Sequence, residues 1–205
     1  MKNRHQEDLS HIRSMMERSS RFISLSGLSG IFAGLSALIG GLYAYFLLID
    51  IHNINYLDNN RSINSSGLVN ELLVIAMLIL FFAIAFGLFF TIRKSKNNNL
   101  PIWTIATKKM LLNLAIPLFV GGLFCLALIR IENYILIAPS TLIFYGLALV
   151  NAEKYTFSDI KYLGFCELIL GIISMFVLGY GLLFWIIGFG VLHVLYGIIL
   201  FKKYD

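Results

Sequence analysis

Six apolar blocks, each long enough to cross a lipid bilayer, dominate this sequence of 205 residues. A helix needs about 20 apolar residues to span the hydrocarbon core, because it rises about 1.5 Å per residue. Charged residues make up 13% of the chain, which leaves too little polar surface for a water-soluble globule. The sequence therefore predicts an all-α membrane protein, a compact bundle of six transmembrane helices. The predicted spans cover about 22–49, 68–92, 110–129, 131–150, 158–178 and 182–201.

The distribution of Lys and Arg predicts the orientation of these spans. With six spans, all 16 basic residues except Arg61 and Arg130 fall on one side of the bilayer. Cytoplasmic loops carry the excess of Lys and Arg in membrane proteins, so both termini are expected in the cytoplasm. Residues 1–21 then form a basic amphipathic segment, and residues 202–205 form a short tail. This segment is expected to lie on anionic headgroups, and docking of a cytoplasmic protein partner is the alternative.

Span one carries two rows of small residues spaced four apart. Small residues at this spacing let helix backbones approach closely, which matters in lipid because packing drives helix association there. The rows therefore predict helix packing inside the bundle, with a homodimer through the same face as the alternative. The first row is Ser26, Gly30 and Gly34, and the second is Ser29, Ala33, Ala37 and Gly41.

Spans five and six each carry one ionisable residue, Glu167 and His193. Counted along the helices, both lie about 12–13 Å from the inner membrane face. Because these spans form a hairpin, the two side chains are expected at matching depth on neighbouring helices. A carboxylate in hydrocarbon needs a partner, and His193 is the one at hand. Three further polar residues are expected at a similar depth: Ser29, Thr141 and Tyr145.

Two interpretations of this pair remain open. In one, Glu167 and His193 form a structural clamp between helices. In the other, they line a site that binds a small molecule or relays protons, and intramembrane ionisable residues favour a functional role. Replacing Glu167 with Gln and His193 with Ala is then expected to abolish binding while leaving folding intact.

A second polar cluster is predicted at the outer ends of spans one to four. It is expected to form interfacial charge pairs, with a mouth for a ligand or cation as the alternative. Its members are Asp50, Glu71, Arg130, Glu132 and Asn133.

Local signals predict several helix boundaries. Pro101 suits the first position of the third helix, and Ser158 suits the N-cap of the fifth. Pro117 and Pro139 fall inside spans and favour kinks. The Asn-rich residues 94–100 predict a turn.

Some motifs are excluded. The sequences VLGYG (177–181) and IGFG (187–190) are similar to potassium-channel filters, but no pore helix separates spans five and six. We find no motif that arranges a nucleophile, a base and an oxyanion hole, so an enzyme is not expected. His5, His11 and His52 are too scattered for a metal site, and neither a cofactor nor a nucleic-acid partner is expected.

The stretches SRFISLSGLSGIFAG (20–34), LGFCELILG (163–171) and FGVLHVLYG (189–197) resemble spans of uncharacterised small six-span bacterial inner-membrane proteins. The resemblance implies a bacterial inner membrane and no particular activity. The leading hypothesis is a membrane protein that binds or handles a small molecule in an interior polar site. The alternative is a structural or regulatory protein whose basic inner face docks a cytoplasmic partner.

Overall fold

The backbone of residues 25–57 and 65–204 is described by a computed structural model. The amphipathic segment predicted at residues 1–21 and the side chains of residues 50–57, 65 and 66 lie outside the described part. The described ranges are mainly helical and contain no β-strand. The helices are α1 (Gly27–Leu57), α2 (Ser65–Asn97), α3 (Ile105–Arg130), α4 (Ile137–Ala152), α5 (Ile160–Phe176), α6 (Gly181–Trp185) and α7 (His193–Tyr204), with a π-helix (Ile186–Leu192) between α6 and α7.

Among the described residues, five helical stretches are long and apolar enough to cross a membrane. The last of them joins α6, the π-helix and α7 into one continuous helix, called here the last span. Helix α5 has 17 residues and is therefore about 25 Å long. These lengths and compositions support a multi-pass membrane protein. The five stretches are Gly27–Ile49, Gly67–Asn97, Ile105–Arg130, Tyr134–Tyr155 and Gly181–Tyr204.

The helices pack as two groups that meet at the last span. Helix α1 packs between α2 and the last span, while α4 packs between α3 and α5. The π-helix contacts α5, and α6 contacts α4, which joins the two groups. Helices α2 and α3 lie at the periphery and expose large apolar side chains such as Phe81, Phe89 and Phe119. Such a surface suits contact with lipid tails, and the polar interior then lies around α4, α5 and the last span.

The small residues of span one face the last span of the same chain. A Cβ added to Gly30 would lie 3.1 Å from the Cα atom of Gly197, and one added to Gly34 would lie 2.7 Å from the backbone N of Val194. Gly41 is equally close to Ile186. Within the described part of the chain, this face of span one therefore packs against the last span. The homodimer through this face stays a prediction.

The start of α3 differs from the sequence prediction. The helix begins at Ile105, and Thr104 is its N-cap. The hydroxyl of Thr104 accepts from the backbone N–H of Thr107 over 3.1 Å, and the Thr107 hydroxyl reaches back to the backbone of Thr104. This capping box satisfies the backbone N–H groups of Thr104 and Thr107 at the start of the helix. The prediction that Pro101 is the first helical residue is therefore wrong.

Two further boundaries are corrected. Helix α5 has Asp159 at its N-cap position, so the prediction of Ser158 as N-cap is wrong. Pro117 lies inside α3 as predicted. Pro139 is the third residue of α4 and follows the 3-10 turn Tyr134–Leu136, so it marks the start of a helix. It does not interrupt the interior of α4, because the first-turn N–H groups of a helix lack partners within that helix.

Helices α2 and α3 end in the same way. Asn99 and Glu132 adopt the left-handed conformation, with φ of 51° and 58°. In each case the next N–H returns to a carbonyl in the last turn, the arrangement of a Schellman motif. The turn predicted at residues 94–100 is thus confirmed for residues 98–100, whereas residues 94–97 belong to α2. Asn99 adopts the left-handed conformation, which Asn tolerates better than most residues other than Gly. The returning bonds join Leu100 N to Ser95 O and Asn133 N to Leu128 O, both over 2.9 Å.

Candidate functional site

Glu167 lies on the buried face of α5. The buried residues of this helix recur at spacings of three and four, the period of one helix face. Glu167 is 0% exposed and is among the largest fully buried side chains in the described part of the chain. The helical period therefore forces this carboxyl into the protein interior. The residues that share the face are Ile160, Leu163, Gly164, Gly171 and Ser174.

The carboxyl group of Glu167 lies directly against the backbone of Gly188 in the π-helix. A Cβ added to Gly188 would come within 2.5 Å of Oε2 of Glu167 and within 2.6 Å of a methyl group of Leu142. Both neighbours are fully buried. Any side chain at position 188 would therefore displace the carboxyl group.

His193 follows the π-helix directly and connects three groups. Its Nδ1 atom is 3.0 Å from the carbonyl oxygen of Gly188 and 3.3 Å from Oε1 of Glu167. Its Nε2 atom is 2.8 Å from the hydroxyl of Tyr145 on α4. A carbonyl oxygen only accepts hydrogen bonds, so the contact with Gly188 assigns a proton to Nδ1. In the neutral ring Nε2 then accepts the hydrogen bond that Tyr145 donates.

Neither oxygen of Glu167 has a hydrogen-bond partner among the described residues. The contact of 3.3 Å with His193 is close enough for an ion pair, but Nδ1 directs its hydrogen bond to Gly188. An ionised carboxylate without hydrogen bonds is strongly disfavoured in a low-dielectric interior, and such groups tend to take up a proton.

Aromatic rings surround the imidazole of His193. The ring of Phe189 stacks on it with centroids 5.7 Å apart, and the ring of Tyr145 lies 5.3 Å away. Trp185 contacts Phe189 at 4.9 Å and extends the apolar wall. These rings fix the orientation of the imidazole and keep the local dielectric low, which strengthens every electrostatic interaction of the pair.

The IGFG sequence (187–190), excluded above as a channel filter, lies within the π-helix. Gly188 lies against the carboxyl group of Glu167, and a Cβ added to Gly190 would lie 2.6 Å from the side chain of Leu38 on α1. Two neighbouring elements thus approach the same turn of helix. Isolated π-helical turns occur frequently at functional sites. The signal available in the sequence was a pair of glycines shortly before the intramembrane histidine.

The structure brings together three of the five predicted interior residues: Glu167, His193 and Tyr145. The other two bond to their own helices. The hydroxyl of Ser29 donates to the carbonyl of Ser26, and that of Thr141 donates to the carbonyl of Ala138.

The described members of the outer cluster form no ion pair with one another. Glu71, Arg130 and Glu132 are exposed, and within the described ranges none of them forms an ion pair. Glu71 belongs to the pair α1–α2, whereas Arg130 and Glu132 belong to the pair α3–α4. The side chain of Asp50 lies outside the described part, and Asn133 is half-buried. An outer mouth for a ligand or cation stays a prediction.

Sequence reasoning missed two polar groups near this interior. The hydroxyls of Ser174 on α5 and Tyr196 on α7 are buried and have no hydrogen-bond partner in the described part of the chain. Ser174 follows Glu167 by seven residues, and Tyr196 follows His193 by three, so each shares a helix face with one member of the pair. That spacing was visible in the sequence. Within the same part of the chain, no group of three or more His, Cys, Asp or Glu side chains is arranged to hold a metal.

Comparison with known proteins gives no match to any family model, curated protein or solved structure. The resemblance to small six-span bacterial membrane proteins stays a prediction.

Proposed function

We propose that this chain is a bacterial inner-membrane protein that crosses the bilayer six times with both ends in the cytoplasm. Helix α5 is about 25 Å long, and a bilayer accommodates a slightly short span by local thinning. All described Lys and Arg residues except Arg130 fall near one end of the bundle in this topology. Contacts at that end support it: Lys94 donates to the carbonyls of Leu25 and Tyr204, both over 3.0 Å.

We further propose that the interior site handles a small species, and that this species is a proton. The observation that carries the proposal is the carboxyl group of Glu167, fully buried with neither oxygen hydrogen-bonded among the described residues. A neutral carboxyl group is much less costly to bury than a charged one. Uptake of a proton therefore stabilises Glu167 in this position, and release of the proton requires a partner that compensates the charge.

His193 supplies that partner, because its Nδ1–H group can change its hydrogen-bond acceptor from Gly188 to Glu167. Its Nδ1–H group faces the carbonyl of Gly188 at 3.0 Å and the carboxyl group of Glu167 at 3.3 Å. When Glu167 is neutral, the hydrogen bond goes to Gly188. When Glu167 is ionised, the charged acceptor attracts the same N–H group more strongly. Two hydrogen-bond arrangements thus correspond to two protonation states, and a small rotation of the ring connects them.

Infrared spectroscopy of the protein in lipid nanodiscs tests the proton site. A neutral carboxyl group has its own C=O stretching band, separate from that of a carboxylate. The wild type is expected to show such a band, to lose it as the pH rises, and to lack it in Glu167→Gln. The matched control Glu71→Gln removes an exposed carboxyl and should leave the band unchanged. Identical bands in both variants would contradict the proposal.

A purely structural clamp gives a different result. In that case Glu167→Gln and His193→Ala both lower the thermal stability, and neither alters a titrating carboxyl band. The proposed site instead predicts that Glu167→Gln folds normally, because Gln mimics the neutral acid in shape and polarity.

The alternative function is docking of a cytoplasmic protein on the basic inner face. Lys96, Lys108 and Lys109 are exposed at this end, which favours an acidic partner surface. Co-purification of the full chain and of a chain without residues 1–20 tests it. A partner retained by the full chain and lost on deletion supports docking, and identical co-purified proteins would exclude this role for the segment.

A further inference from the structure

A cleft lies between the start of α1 and the end of α2, at the end of the bundle that faces the cytoplasm in the proposed topology. Its volume is about 270 Å³. One water molecule needs only about 10–15 Å³, so the cleft accommodates a larger group. Because both helices are long and apolar enough to cross a membrane, their ends are expected at the membrane surface. The residues that line the cleft are Ser26, Leu28, Phe90, Arg93, Lys94, Asn97 and Asn98.

The lining changes from apolar to polar along α2. Arg93, Lys94 and Asn97 follow Phe90 by three, four and seven residues, which places all four on one side of the helix. The axial distance from Phe90 to Asn97 is about 10 Å. Phe90 and Leu28 form the apolar part of the cleft, the two cations come next, and Asn97 lies at the helix end. A phospholipid has the same order of parts: acyl chains, a phosphate group and a polar headgroup.

Lys94 places a fixed positive charge in the wall of the cleft. Its Nζ atom donates to the carbonyl oxygens of Leu25 and Tyr204, both over 3.0 Å, and lies 5.8 Å from the centre of the Phe157 ring. Carbonyl oxygens and an aromatic ring hold the ammonium group in place without removing its charge. A charged group that is already held in place loses little entropy when a ligand binds to it.

Arg93 supplies a second positive charge. Its side chain is exposed, and the described part of the chain gives it no ion-pair partner. A guanidinium group presents two parallel N–H donors that match two oxygens of a phosphate group. None of the described residues that line the cleft is acidic. The charges therefore suit an anion, and the geometry of Arg93 favours a phosphate.

We infer that this cleft binds the phosphate group of an anionic phospholipid from the inner leaflet. Arg93 and Lys94 bind the phosphate, while Leu28 and Phe90 contact the adjoining glycerol and acyl groups. Free phosphate would leave this apolar part uncovered. A choline headgroup carries its own positive charge, which the two cations would repel. The inference uses the proposed topology only to name the leaflet, and it does not depend on the proton site at Glu167.

Native mass spectrometry of the full-length protein, released from detergent micelles after lipid removal, measures the binding of single lipids. The wild type is expected to bind one phosphatidylglycerol molecule at least about tenfold more tightly than a phosphatidylcholine with the same acyl chains. Arg93→Gln removes the guanidinium group and is expected to weaken phosphatidylglycerol binding at least about tenfold, because charge-assisted hydrogen bonds are lost. Asn97→Asp adds a negative charge to the cleft and is also expected to weaken binding. Wild-type affinity in both variants would overturn the inference.

Lys96→Gln is the matched control. It removes one positive charge from the same turn of α2, and Lys96 is exposed and does not line the cleft. This variant is expected to bind phosphatidylglycerol like the wild type. Equal weakening by Arg93→Gln and Lys96→Gln would mean that the lipid responds to the overall positive charge of this end, which would also overturn the cleft as a site.

Thermal unfolding in micelles distinguishes a lipid from free phosphate. A ligand that binds only the folded protein raises its melting temperature. Phosphatidylglycerol is expected to raise the melting temperature of the wild type and of Lys96→Gln, and to have a smaller effect on Arg93→Gln. Inorganic phosphate, compared with chloride at the same ionic strength, is expected to have no such effect. An equal rise with inorganic phosphate would assign the cleft to free phosphate and contradict the lipid as its ligand.

Discussion

The interior site and the outer polar cluster differ in the burial of their ionisable side chains and in the contacts that these side chains make. Glu167 is fully enclosed and lies 3.3 Å from His193, which in turn bonds Tyr145. Glu71, Arg130 and Glu132 are exposed and form no ion pair within the described ranges. Both groups were predicted from charged residues in or near the spans. Among the described residues, only the enclosed group brings its ionisable side chains together, because water solvates the exposed one.

Exposed and buried polar contacts contribute differently to the free energy of unfolding. An exposed ion pair contributes about 0–1 kcal/mol, since its Coulomb attraction in water barely exceeds the entropy lost by two side chains. Leaving a buried polar group without its partner costs about 1–3 kcal/mol, because the group has already lost its hydrogen bonds with water. Substitutions around Glu167 should therefore have larger effects than those at the outer ends.

The largest effect is expected from Gly188→Ala. The added methyl group would overlap the carboxyl group of Glu167 and a methyl group of Leu142, so we expect a loss of about 1–3 kcal/mol in the free energy of unfolding. Gly122→Ala is the matched control, since no atom lies within 4 Å of its added Cβ. Thermal unfolding in detergent micelles measures both. Equal stability of the two variants would contradict the close contact of Gly188 with Glu167.

A smaller effect is expected from Tyr145→Phe. The variant loses the hydrogen bond of 2.8 Å to Nε2 of His193, which we expect to lower stability by about 0.5–1.5 kcal/mol. Tyr180→Phe, at an exposed tyrosine near the outer turn, should leave stability unchanged. The same unfolding measurement applies, and wild-type stability of Tyr145→Phe would argue against the bond.

At the outer ends, backbone conformation should matter more than charge. Glu132 has φ of 58°, a conformation that costs a residue with a side chain about 1–2 kcal/mol. Glu132→Gly is expected to raise stability by about 0.5–1 kcal/mol after the entropy of the glycine is subtracted. Asn99→Gly, at the opposite end of the bundle in the proposed topology, should give a smaller gain, because Asn tolerates this conformation better. Destabilisation by Glu132→Gly would show that the carboxylate has a partner of its own.

The smallest effect is expected from Glu71→Gln. The side chain is exposed and has no ion-pair partner among the described residues, so stability should change by less than about 0.5 kcal/mol. A loss above about 1 kcal/mol would indicate that the outer cluster pairs in the membrane. Glu71→Gln thereby tests the expectation that exposed charges of the outer polar cluster contribute little to stability.

The sequence was sufficient to predict features that depend on period and depth. Helical spacing and span length were enough to place Glu167 beside His193, and glycine spacing was enough to predict close packing of α1. Features that depend on three-dimensional contact were missed. The π-helix places Gly188 against Glu167 and Gly190 against Leu38, and no local sequence pattern encodes those neighbours.

Boundaries failed for a related reason. Thr104 replaces Pro101 as the determinant of the α3 start because its hydroxyl forms a reciprocal pair with Thr107, a stronger signal than a proline at the first position. Ser29 and Thr141 were expected at the site on depth alone. Depth does not fix direction around the helix axis, and both hydroxyls bond to their own backbone.

A double-mutant cycle on Glu167 and His193 tests the central claim most directly. The free energy of unfolding is measured for the wild type, Glu167→Ala, His193→Ala and the double variant, all in the same micelles, because Ala removes the carboxyl group that Gln would mimic. The contact of 3.3 Å predicts that the single effects do not add, with a coupling energy of at least about 0.5 kcal/mol. Additivity within about 0.3 kcal/mol would mean that the two side chains do not interact and would contradict the interior site.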